Sequence, residues 1–205
     1  MKKRNTKIIL FASILVIVIG VGISTSNVFK FVKGYTLYKI HKAYAVSPKP
    51  DKPVEKNQEP KALYPVRPKT GENFGELIIP KLDATLPIFE GANENELAKG
   101  VGHYGGSVLP GEKDNSVLAG HRDTVFRKLG EVGKGDLLIV RTSAGEFTYK
   151  VSKVRIVDKD DRTVIVPRPT ATLTVSTCYP FYFIGQAPKR YILVGYLLSS
   201  KLAMK

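Results

Sequence analysis

The chain has 205 residues, one cysteine and a formal net charge of +14, with 43% hydrophobic and 24% charged residues. This length suits one domain of ordinary size with an appendage, and the apolar fraction is too high for a disordered chain. A single cysteine excludes an internal disulfide, a zinc finger and a Cys-x-x-Cys redox centre, because each needs at least two thiols.

The positive charge is concentrated in the N-terminal third of the chain. Residues 1–70 carry a net charge of +11, whereas residues 71–205 carry only +3. A basic tail beside an apolar segment is typical of contact with an anionic membrane or cell-wall surface. The distribution therefore argues against nucleic acid as a partner of the folded part.

An apolar segment follows the basic start of the chain. Residues 8–29 contain no charged side chain, are numerous enough to cross a bilayer, and follow a run of four Lys and Arg residues. We predict a cytoplasmic tail over 1–7, a transmembrane signal anchor over 8–29 and an extracellular remainder. The alternative is a cleaved signal peptide with small residues at 24–26, which also exports the remainder, but the apolar run is long for one.

The next segment has the composition of a spacer. Residues 30–46 mix apolar and aromatic side chains with lysines, which predicts a juxtamembrane helix. Six prolines alternate with charges from residue 47 to residue 71, which predicts an extended, semi-rigid linker. We therefore predict a juxtamembrane segment and linker over 30–70 and a folded domain over 71–205.

Short β-rich runs separated by Gly, Pro and Asp fill this domain. They predict seven strands, over Gly75–Ile79, Thr85–Phe89, Ser116–Gly120, Leu137–Thr142, Glu146–Val157, Ala171–Thr177 and Tyr191–Leu198. Short helices are predicted at Glu94–Lys99 and Thr124–Leu129, with Asp123 as the cap of the second. Seven or eight short strands over this length predict a mainly β fold, a closed or nearly closed barrel.

The single cysteine lies at the end of a predicted strand. Cys178 ends the run Thr172–Cys178, and Pro180 stops the strand two residues later, so the sheet would present the thiol at a rim. An odd cysteine in an exported domain is paired to another chain, buried and inert, or reactive. Its position alone leaves a nucleophile and an inert thiol equally open.

A cysteine nucleophile needs a histidine to move protons and a group to stabilise the oxyanion. His121 directly follows a predicted strand and is favoured as the proton-transfer residue. His103 lies in a glycine-flanked stretch, and the alternative for it is a surface or supporting histidine. His41 lies outside the domain. Arg190 opens the next predicted strand and would lie beside the cysteine if the two strands are antiparallel neighbours. Taken alone, Arg190 would be interpreted as one of many surface cations.

These residues together resemble the catalytic signature of the sortase transpeptidases. His121 precedes Cys178 by 57 residues and Arg190 follows it by 12, and the segment Ser176–Cys178 matches the end of the family's strand motif. The phrases His-Arg-Asp-Thr, Cys-Tyr-Pro-Phe and Ala-Pro-Lys-Arg-Tyr-Ile-Leu-Val resemble class D in particular. The resemblance covers about residues 74–198 and implies a closed sortase barrel of about eight strands.

The resemblance implies a Gram-positive surface enzyme. We predict no cofactor and no metal site, and the sequence leaves metal dependence open. Cys178 would attack the Thr carbonyl of an LPxT-like (Leu-Pro-x-Thr-like) sorting signal at the C-terminus of a surface protein. His121 would act as general acid and then base, and Arg190 would bind the oxyanion or position the signal. The partners would be that protein and an amine of peptidoglycan or of its lipid-linked precursor.

The resemblance also places a groove for the signal between the loops Val164–Thr172 and Tyr179–Lys189. The candidate substrate-binding residues in or beside it are Ser176, Thr177, Tyr179, Phe181 and Ile184, although aromatic loop residues often serve packing instead. The acidic turn at 158–161 is interpreted as solvated rather than as a calcium site, because Lys159 lies within it.

Two other functions stay open. A pilus-polymerising sortase usually has a lid before the barrel and a second hydrophobic helix at the C-terminus, and the sequence shows the pattern of neither. A non-catalytic, membrane-tethered barrel that only binds would leave Cys178 dispensable and distant from His121. The sequence favours a sortase that anchors single proteins.

Overall fold

The computed structural model describes residues 62–182, 185 and 187–203. The predicted tail and anchor, most of the predicted linker, and Ile184 lie outside the described residues. Within the part of the chain that is described, no helix is both long and apolar enough to span a bilayer.

Eight strands form one closed barrel. They are β1 (Asn73–Ile79), β2 (Ala84–Glu90), β3 (Val101–His103), β4 (Asn115–Ala119), β5 (Leu137–Thr142), β6 (Gly145–Asp158), β7 (Thr172–Tyr179) and β8 (Lys189–Leu202). Around the barrel the order is β1-β2-β3-β4-β7-β8-β6-β5. The pairs β2–β3 and β4–β7 are parallel, and the other neighbours are antiparallel. The predicted mainly β, closed-barrel fold is confirmed.

The seven predicted strands are all present, with ends that differ by a few residues, but the sequence missed β3. This strand has only three residues and carries Gly102 at its centre, so it is too short to show the alternation by which strands are recognised. The short helix predicted from Glu94 is present as α1 (Glu94–Leu97). Its first turn has a capping box formed by Asn93 and Glu96.

The helix predicted over Thr124–Leu129 is wrong. The chain forms consecutive turns there, and a 3-10 turn follows at Leu129–Glu131. The Asp123 carboxylate accepts a hydrogen bond from Nε of Arg122 at 3.3 Å and caps no helix. Phe126 and Leu129 are fully buried in the core, so packing of these side chains, rather than helical hydrogen bonding, sets the path of the segment.

The inside of the barrel is filled by apolar side chains from alternate positions of the strands. Members of this core with essentially no exposed surface are Leu77, Ile79, Ile88, Leu118, Phe126, Leu129, Leu138, Val140, Tyr149, Leu173, Val175 and Leu193. Each buried side chain of this size stabilises the fold by about 1.5–3 kcal/mol. The strands are therefore held firmly, and the loops begin from fixed positions.

The strand directions define two ends of the barrel. At the upper end, β4 and β7 finish and β8 begins. At the lower end, β1 and β4 begin, and β2, β3 and β5 finish.

The segment before β1 lies against the lower end. Tyr64 is buried, and its hydroxyl donates to the carbonyl of Pro110 at 2.7 Å and lies 3.0 Å from Oγ1 of Thr142. Arg67 forms a two-pronged ion pair with Glu112, with Nη2 2.8 Å from Oε1. The sequence places this segment at the end of the spacer, whereas the packed structure extends upstream of residue 71 at least to Tyr64.

Candidate active site

Cys178 lies at the upper end of β7, directly opposite Arg190 on β8. The two strands are antiparallel neighbours, as the sequence argument required. Side chains at directly opposite positions of an antiparallel pair lie on the same face of the sheet. Leu173 and Val175 of β7 face the core, so Cys178, at an alternate position, lies with Arg190 on the outer face. Cys178 is a free thiol and half-buried.

The Arg190 side chain is held by its own loop. Its Nη1 donates to the carbonyl oxygens of Ala187 at 3.1 Å and Lys189 at 3.0 Å. These hydrogen bonds fix a half-buried cation at the point where the loop between β7 and β8 rejoins the barrel. A planar guanidinium in a fixed position suits the binding of a carbonyl oxygen that gains negative charge.

His121 reaches the same end of the barrel because β4 and β7 are parallel. Just before it, the Gly120 amide donates to the Ser176 carbonyl at 3.2 Å, and the Thr177 hydroxyl donates to the Gly120 carbonyl at 2.7 Å. The His121 carbonyl then accepts from the Phe126 amide at 3.0 Å. A Cβ added to Gly120 would lie 2.6 Å from the Phe126 ring, so this close approach requires glycine.

His121, Cys178 and Arg190 line one pocket of about 360 Å³. The other lining residues come from the turn after β4 and from the loops beside β8, and they are Arg122, Asp123, Lys159, Gly185 and Ala187. The structure therefore brings the three predicted catalytic residues together at an open, polar site. An arrangement of a thiol, an imidazole and a guanidinium around one pocket can perform nucleophilic acyl transfer.

The carboxylate near His121 comes from α1. Nε2 of His121 lies 3.5 Å from Oε2 of Glu94, whose side chain is 80% exposed. Water screens so exposed a pair, which contributes at most about 1 kcal/mol. Sequence reasoning missed Glu94, which is distant from His121 along the chain and carries no motif of its own.

His103 belongs to a different, buried cluster around the end of β3, where it pairs with Leu118 of β4. Its side chain is 1% exposed, and its Nδ1 lies 2.6 Å from Oε2 of Glu90. Its Nε2 lies 3.0 Å from the Val108 carbonyl and 3.1 Å from the Ser107 hydroxyl. His103 is therefore not at the surface, and its ring nitrogens join β2 and β3 to the loop that follows.

Ser176 and Thr177, two of the predicted substrate contacts, have opposite orientations. Ser176 is half-buried on the outer face, two residues from Cys178 on the same side of β7. Thr177 is 3% exposed, and its hydroxyl is hydrogen-bonded to Gly120. The position of Thr177 favours a structural role, because it joins β7 to the segment that carries His121.

Tyr179 and Phe181 form an aromatic cluster with Tyr191. The ring centroids lie 5.8 Å apart for Tyr179–Phe181, 5.2 Å for Phe181–Tyr191 and 6.4 Å for Tyr179–Tyr191. The Tyr191 hydroxyl donates to the Val132 carbonyl at 2.7 Å, and burial raises the pKa of Tyr191. These contacts favour the packing interpretation of both aromatic residues, and Ile184 lies outside the described residues.

The loop between β6 and β7 is tied to the first residue of β4. Nδ2 of the buried Asn115 donates to the carbonyls of Val166 at 3.2 Å and Val164 at 3.4 Å. Its Oδ1 accepts a hydrogen bond from the Thr174 hydroxyl at 2.7 Å. The loop that would line one side of a groove is thus fixed by a side chain of β4.

The acidic turn at 158–161 is held by hydrogen bonds and an ion pair. Asp161 accepts hydrogen bonds from the hydroxyl and amide of Thr163, which lower its pKa, and Nη2 of Arg155 lies 3.0 Å from its Oδ2. Among the residues that the structure describes, no group of three or more His, Cys, Asp and Glu side chains could hold a metal ion.

Arg122 is a second site residue that sequence reasoning missed. It is 4% exposed, and its guanidinium donates to two carbonyls of the loop between β7 and β8. The only signal is its place next to His121, since nothing in the sequence shows which carbonyls it reaches.

Comparisons with known proteins agree with this geometry. A family model for the sortase domain matches residues 77–198. Sortase D of Bacillus subtilis (strain 168) is 52% identical over 130 residues, which span 63% of this chain and 66%, slightly less than two thirds, of that protein.

Two solved structures have the same fold. The catalytic domain of SrtD from B. anthracis is 41% identical, with a TM-score of 0.57 over 66% of this chain and 93% of that one. Sortase A from Listeria monocytogenes is 26% identical, with a TM-score of 0.59 over 65% of this chain and 92% of that one. The likeness to class D rests on the Bacillus relatives. With a family match over more than half of its length, this chain belongs to the sortase family.

Proposed function

We propose that this protein is a membrane-anchored cysteine transpeptidase that cleaves an LPxT-like sorting signal after Thr and joins the protein to a cell-wall amine. One observation carries the proposal. His121, Cys178 and Arg190, which lie far apart in the sequence, line a single pocket at the upper end of the barrel. Family membership supports the same chemistry.

In the first step, the Cys178 thiol passes its proton to His121, and Sγ attacks the carbonyl carbon of the signal's Thr. The tetrahedral intermediate carries a negative oxygen, which the Arg190 guanidinium stabilises. The C–N bond to the next residue then breaks, and His121 donates a proton to the amine that leaves. The product is a thioester between Cys178 and the Thr carbonyl.

In the second step, an amine attacks the thioester. His121 now accepts the proton that the amine loses as the new amide bond forms. The bond between the carbonyl carbon and Sγ breaks, and His121 returns the proton to Sγ, which restores the Cys178 thiol. Water could replace the amine and hydrolyse the thioester. The ratio of transfer to hydrolysis therefore depends on how readily the acceptor amine reaches the pocket.

The proposed partners are a surface protein with the sorting signal at its C-terminus and an amine of peptidoglycan or of its lipid-linked precursor. We place the catalytic domain outside the cell, with the N-terminus in the cytoplasm. The apolar run over residues 8–29 and the basic residues before it support this orientation. The balanced charge of residues 71–205 supports a protein substrate rather than nucleic acid.

The test uses the full chain with fluorogenic peptides ending in Leu-Pro-x-Thr-Gly, Leu-Pro-x-Thr-Ala and Leu-Pro-x-Thr-Ser. We expect wild type to cleave at least one peptide after Thr and to form a peptide adduct on Cys178 that mass spectrometry detects. Cys178→Ala should form no adduct and release no product. Added amines should shift the product from acid to amide.

Cleavage by Cys178→Ala at the wild-type rate would overturn the mechanism. An absence of both cleavage and adduct, together with slow and unsaturable labelling of Cys178 by thiol reagents, would favour a barrel that only binds. The product formed with a lysine-bearing pilin-like acceptor, rather than a wall amine, would identify a polymerising enzyme instead.

A further inference from the structure

Arg122 joins the two segments that carry the proposed catalytic side chains. It directly follows His121, and its side chain reaches across to the loop between Cys178 and Arg190. Nη1 donates to the Pro180 carbonyl at 2.9 Å, and Nη2 donates to the Gly185 carbonyl at 2.8 Å.

Both hydrogen bonds are short and charge-assisted, which makes them stronger than bonds between neutral groups. Arg122 is 4% exposed, so protein groups, including these two carbonyls and the Asp123 carboxylate, replace water as its partners. A buried cation that lost them would be strongly destabilised. The geometry thus holds the two segments at one separation.

The shape of the guanidinium matters as much as its charge. Two of its nitrogens reach carbonyls that lie on either side of Phe181 and Tyr182 in the loop. A lysine ammonium is a compact point charge on a flexible stem and cannot present two donors in a fixed fork. The bridge therefore depends on arginine specifically.

The sheet holds the backbone just before His121, whereas His121 itself lies outside the strands. The sheet hydrogen-bonds Gly120 to Ser176, but His121 lies two residues beyond Ala119, the last residue of β4. Arg122 is the first side chain after His121 that reaches the opposite segment.

We propose that Arg122 is a positioning residue for the reaction, which fixes His121 relative to Cys178 through its bridge to the Pro180 and Gly185 carbonyls. The inference rests on the proposed transpeptidase function. It assigns Arg122 no contact with the reacting atoms. Displacement of a catalytic group by about 1 Å can cost about 100-fold in rate, so loss of the bridge has a measurable effect.

The kinetic test compares Arg122→Lys and Arg122→Gln with wild type in the full chain, using the Leu-Pro-x-Thr-Ala peptide. Both variants should lose about 100-fold in kcat/KM, mostly through kcat, and the retained charge of the lysine should not rescue activity. The matched control is Arg141→Gln, which removes an arginine that is half-exposed and ion-paired with Glu146. Its kcat/KM should stay within about twofold of wild type.

A second measurement needs no peptide. Alkylation of Cys178 by iodoacetamide is followed in wild type, His121→Ala, Arg122→Gln and the double variant. If Arg122 positions His121, then His121→Ala changes the rate several-fold in wild type and less than about twofold in the Arg122→Gln background. Melting temperatures show that each variant is folded under the assay conditions.

These outcomes separate the two proposals. If wild type cleaves no peptide, the proposed function fails for these signals, while the alkylation cycle still decides the role of Arg122. Full activity of Arg122→Lys would overturn the bridge in favour of a simple charge effect. Independent effects of His121→Ala and Arg122→Gln on alkylation, or no effect of His121→Ala in wild type, would also overturn it.

Discussion

Cys178 and Arg190 occupy directly opposite positions on two antiparallel strands, although eleven residues, 179–189, separate them along the chain. Their relative position is therefore set by the sheet and not by the loop. The pairing continues on the core side of the same strands, where Val175 opposes Leu193, and both are fully buried. The paired strands β7 and β8 thus hold the backbone of Cys178 and of Arg190 in fixed relative positions.

The fixed position of Arg190 opposite Cys178 leads to a prediction for Arg190→Lys. The substitution keeps the charge but loses the planar fork, so we expect kcat/KM to fall about 100-fold. The melting temperature should change by less than about 2 °C, because the side chain is only half-buried and bonds to its own loop. Peptide cleavage and thermal denaturation measure the two effects. Activity close to wild type would show that Arg190 supplies charge alone.

Thr177→Val should destabilise the protein by about 1–3 kcal/mol. The substitution keeps the shape of the side chain but removes the buried hydrogen bond to the Gly120 carbonyl. Urea denaturation measures the loss. The matched control is Ser152→Ala, which removes an exposed hydroxyl that bonds to the Val194 carbonyl and should cost less than about 0.5 kcal/mol. Equal losses in the two variants would contradict the structural role of Thr177.

The two histidines of the domain should respond oppositely to substitution. His121→Ala should abolish peptide cleavage with little loss of stability, because its side chain is 36% exposed. His103→Phe should lower the free energy of unfolding by about 3–5 kcal/mol, because it leaves Glu90 without its partner in a buried pair. The folded fraction of His103→Phe should retain cleavage. Loss of cleavage in a folded His103 variant would contradict this assignment.

The contacts of Tyr64, in the segment before β1, should weaken at high pH. Burial raises the pKa of Tyr64 to about 12, against 10 in the unfolded chain. Because the folded state holds this proton more tightly, stability is complete below pH 10 and falls as the pH rises from 10 to 12. Between pH 10 and 11.5, the stability of Tyr64→Phe should therefore fall less than that of wild type. At pH 7 the variant should be less stable than wild type by about 1 kcal/mol, because it lacks the hydroxyl's hydrogen bonds.

Urea denaturation at several pH values tests the role of Tyr64. The matched control is Tyr196→Phe, which alters a tyrosine that is 43% exposed and should leave the pH dependence unchanged. Identical pH dependence in wild type and Tyr64→Phe would show that the buried phenol contributes nothing to alkaline unfolding.

Asn115→Ala should raise KM for the sorting peptide by about tenfold, with a smaller change in kcat. The substitution releases the Val164 and Val166 carbonyls, so the loop that we place beside the signal loses its fixed position. Thr174→Val is the matched control, because it removes a hydrogen bond to Asn115 and leaves those carbonyls bound. An equal rise in KM for both variants would contradict a specific role of the loop.

The strands, and the position of Cys178 at the end of one of them, could be predicted because the sequence patterns that mark them are local. Alternation of side chains marks a strand of five or more residues, while β3, with three residues, gives no such signal. Alternation also separates Cys178 from Thr177, since neighbouring residues of a strand face opposite sides. A stricter use of that rule would have assigned Thr177 to the core side from the sequence.

The contacts of Arg122 and Glu94 could not be predicted, because they join segments that are distant along the chain. The Arg122 guanidinium bonds to backbone carbonyls, which every residue possesses, so no residue type marks its partners. The helix predicted from Thr124 fails for a related reason. Burial of Phe126 in the closed barrel outweighs the helical preference of residues 124–129.

The segment before β1 and the residue after β8 both lie at the lower end of the barrel, and the pocket lies at the upper end. Tyr64 docks at the lower end, and the amide of Ala203, just after β8, donates to the Ala144 carbonyl there. The 14 residues of β8 rise by about 3.3 Å each, so roughly 40 Å of strand separates that end from Lys189 beside the pocket. A fusion partner, an affinity tag or a sensor surface attached after Ala203 would therefore leave the Cys178 thiol facing open solution.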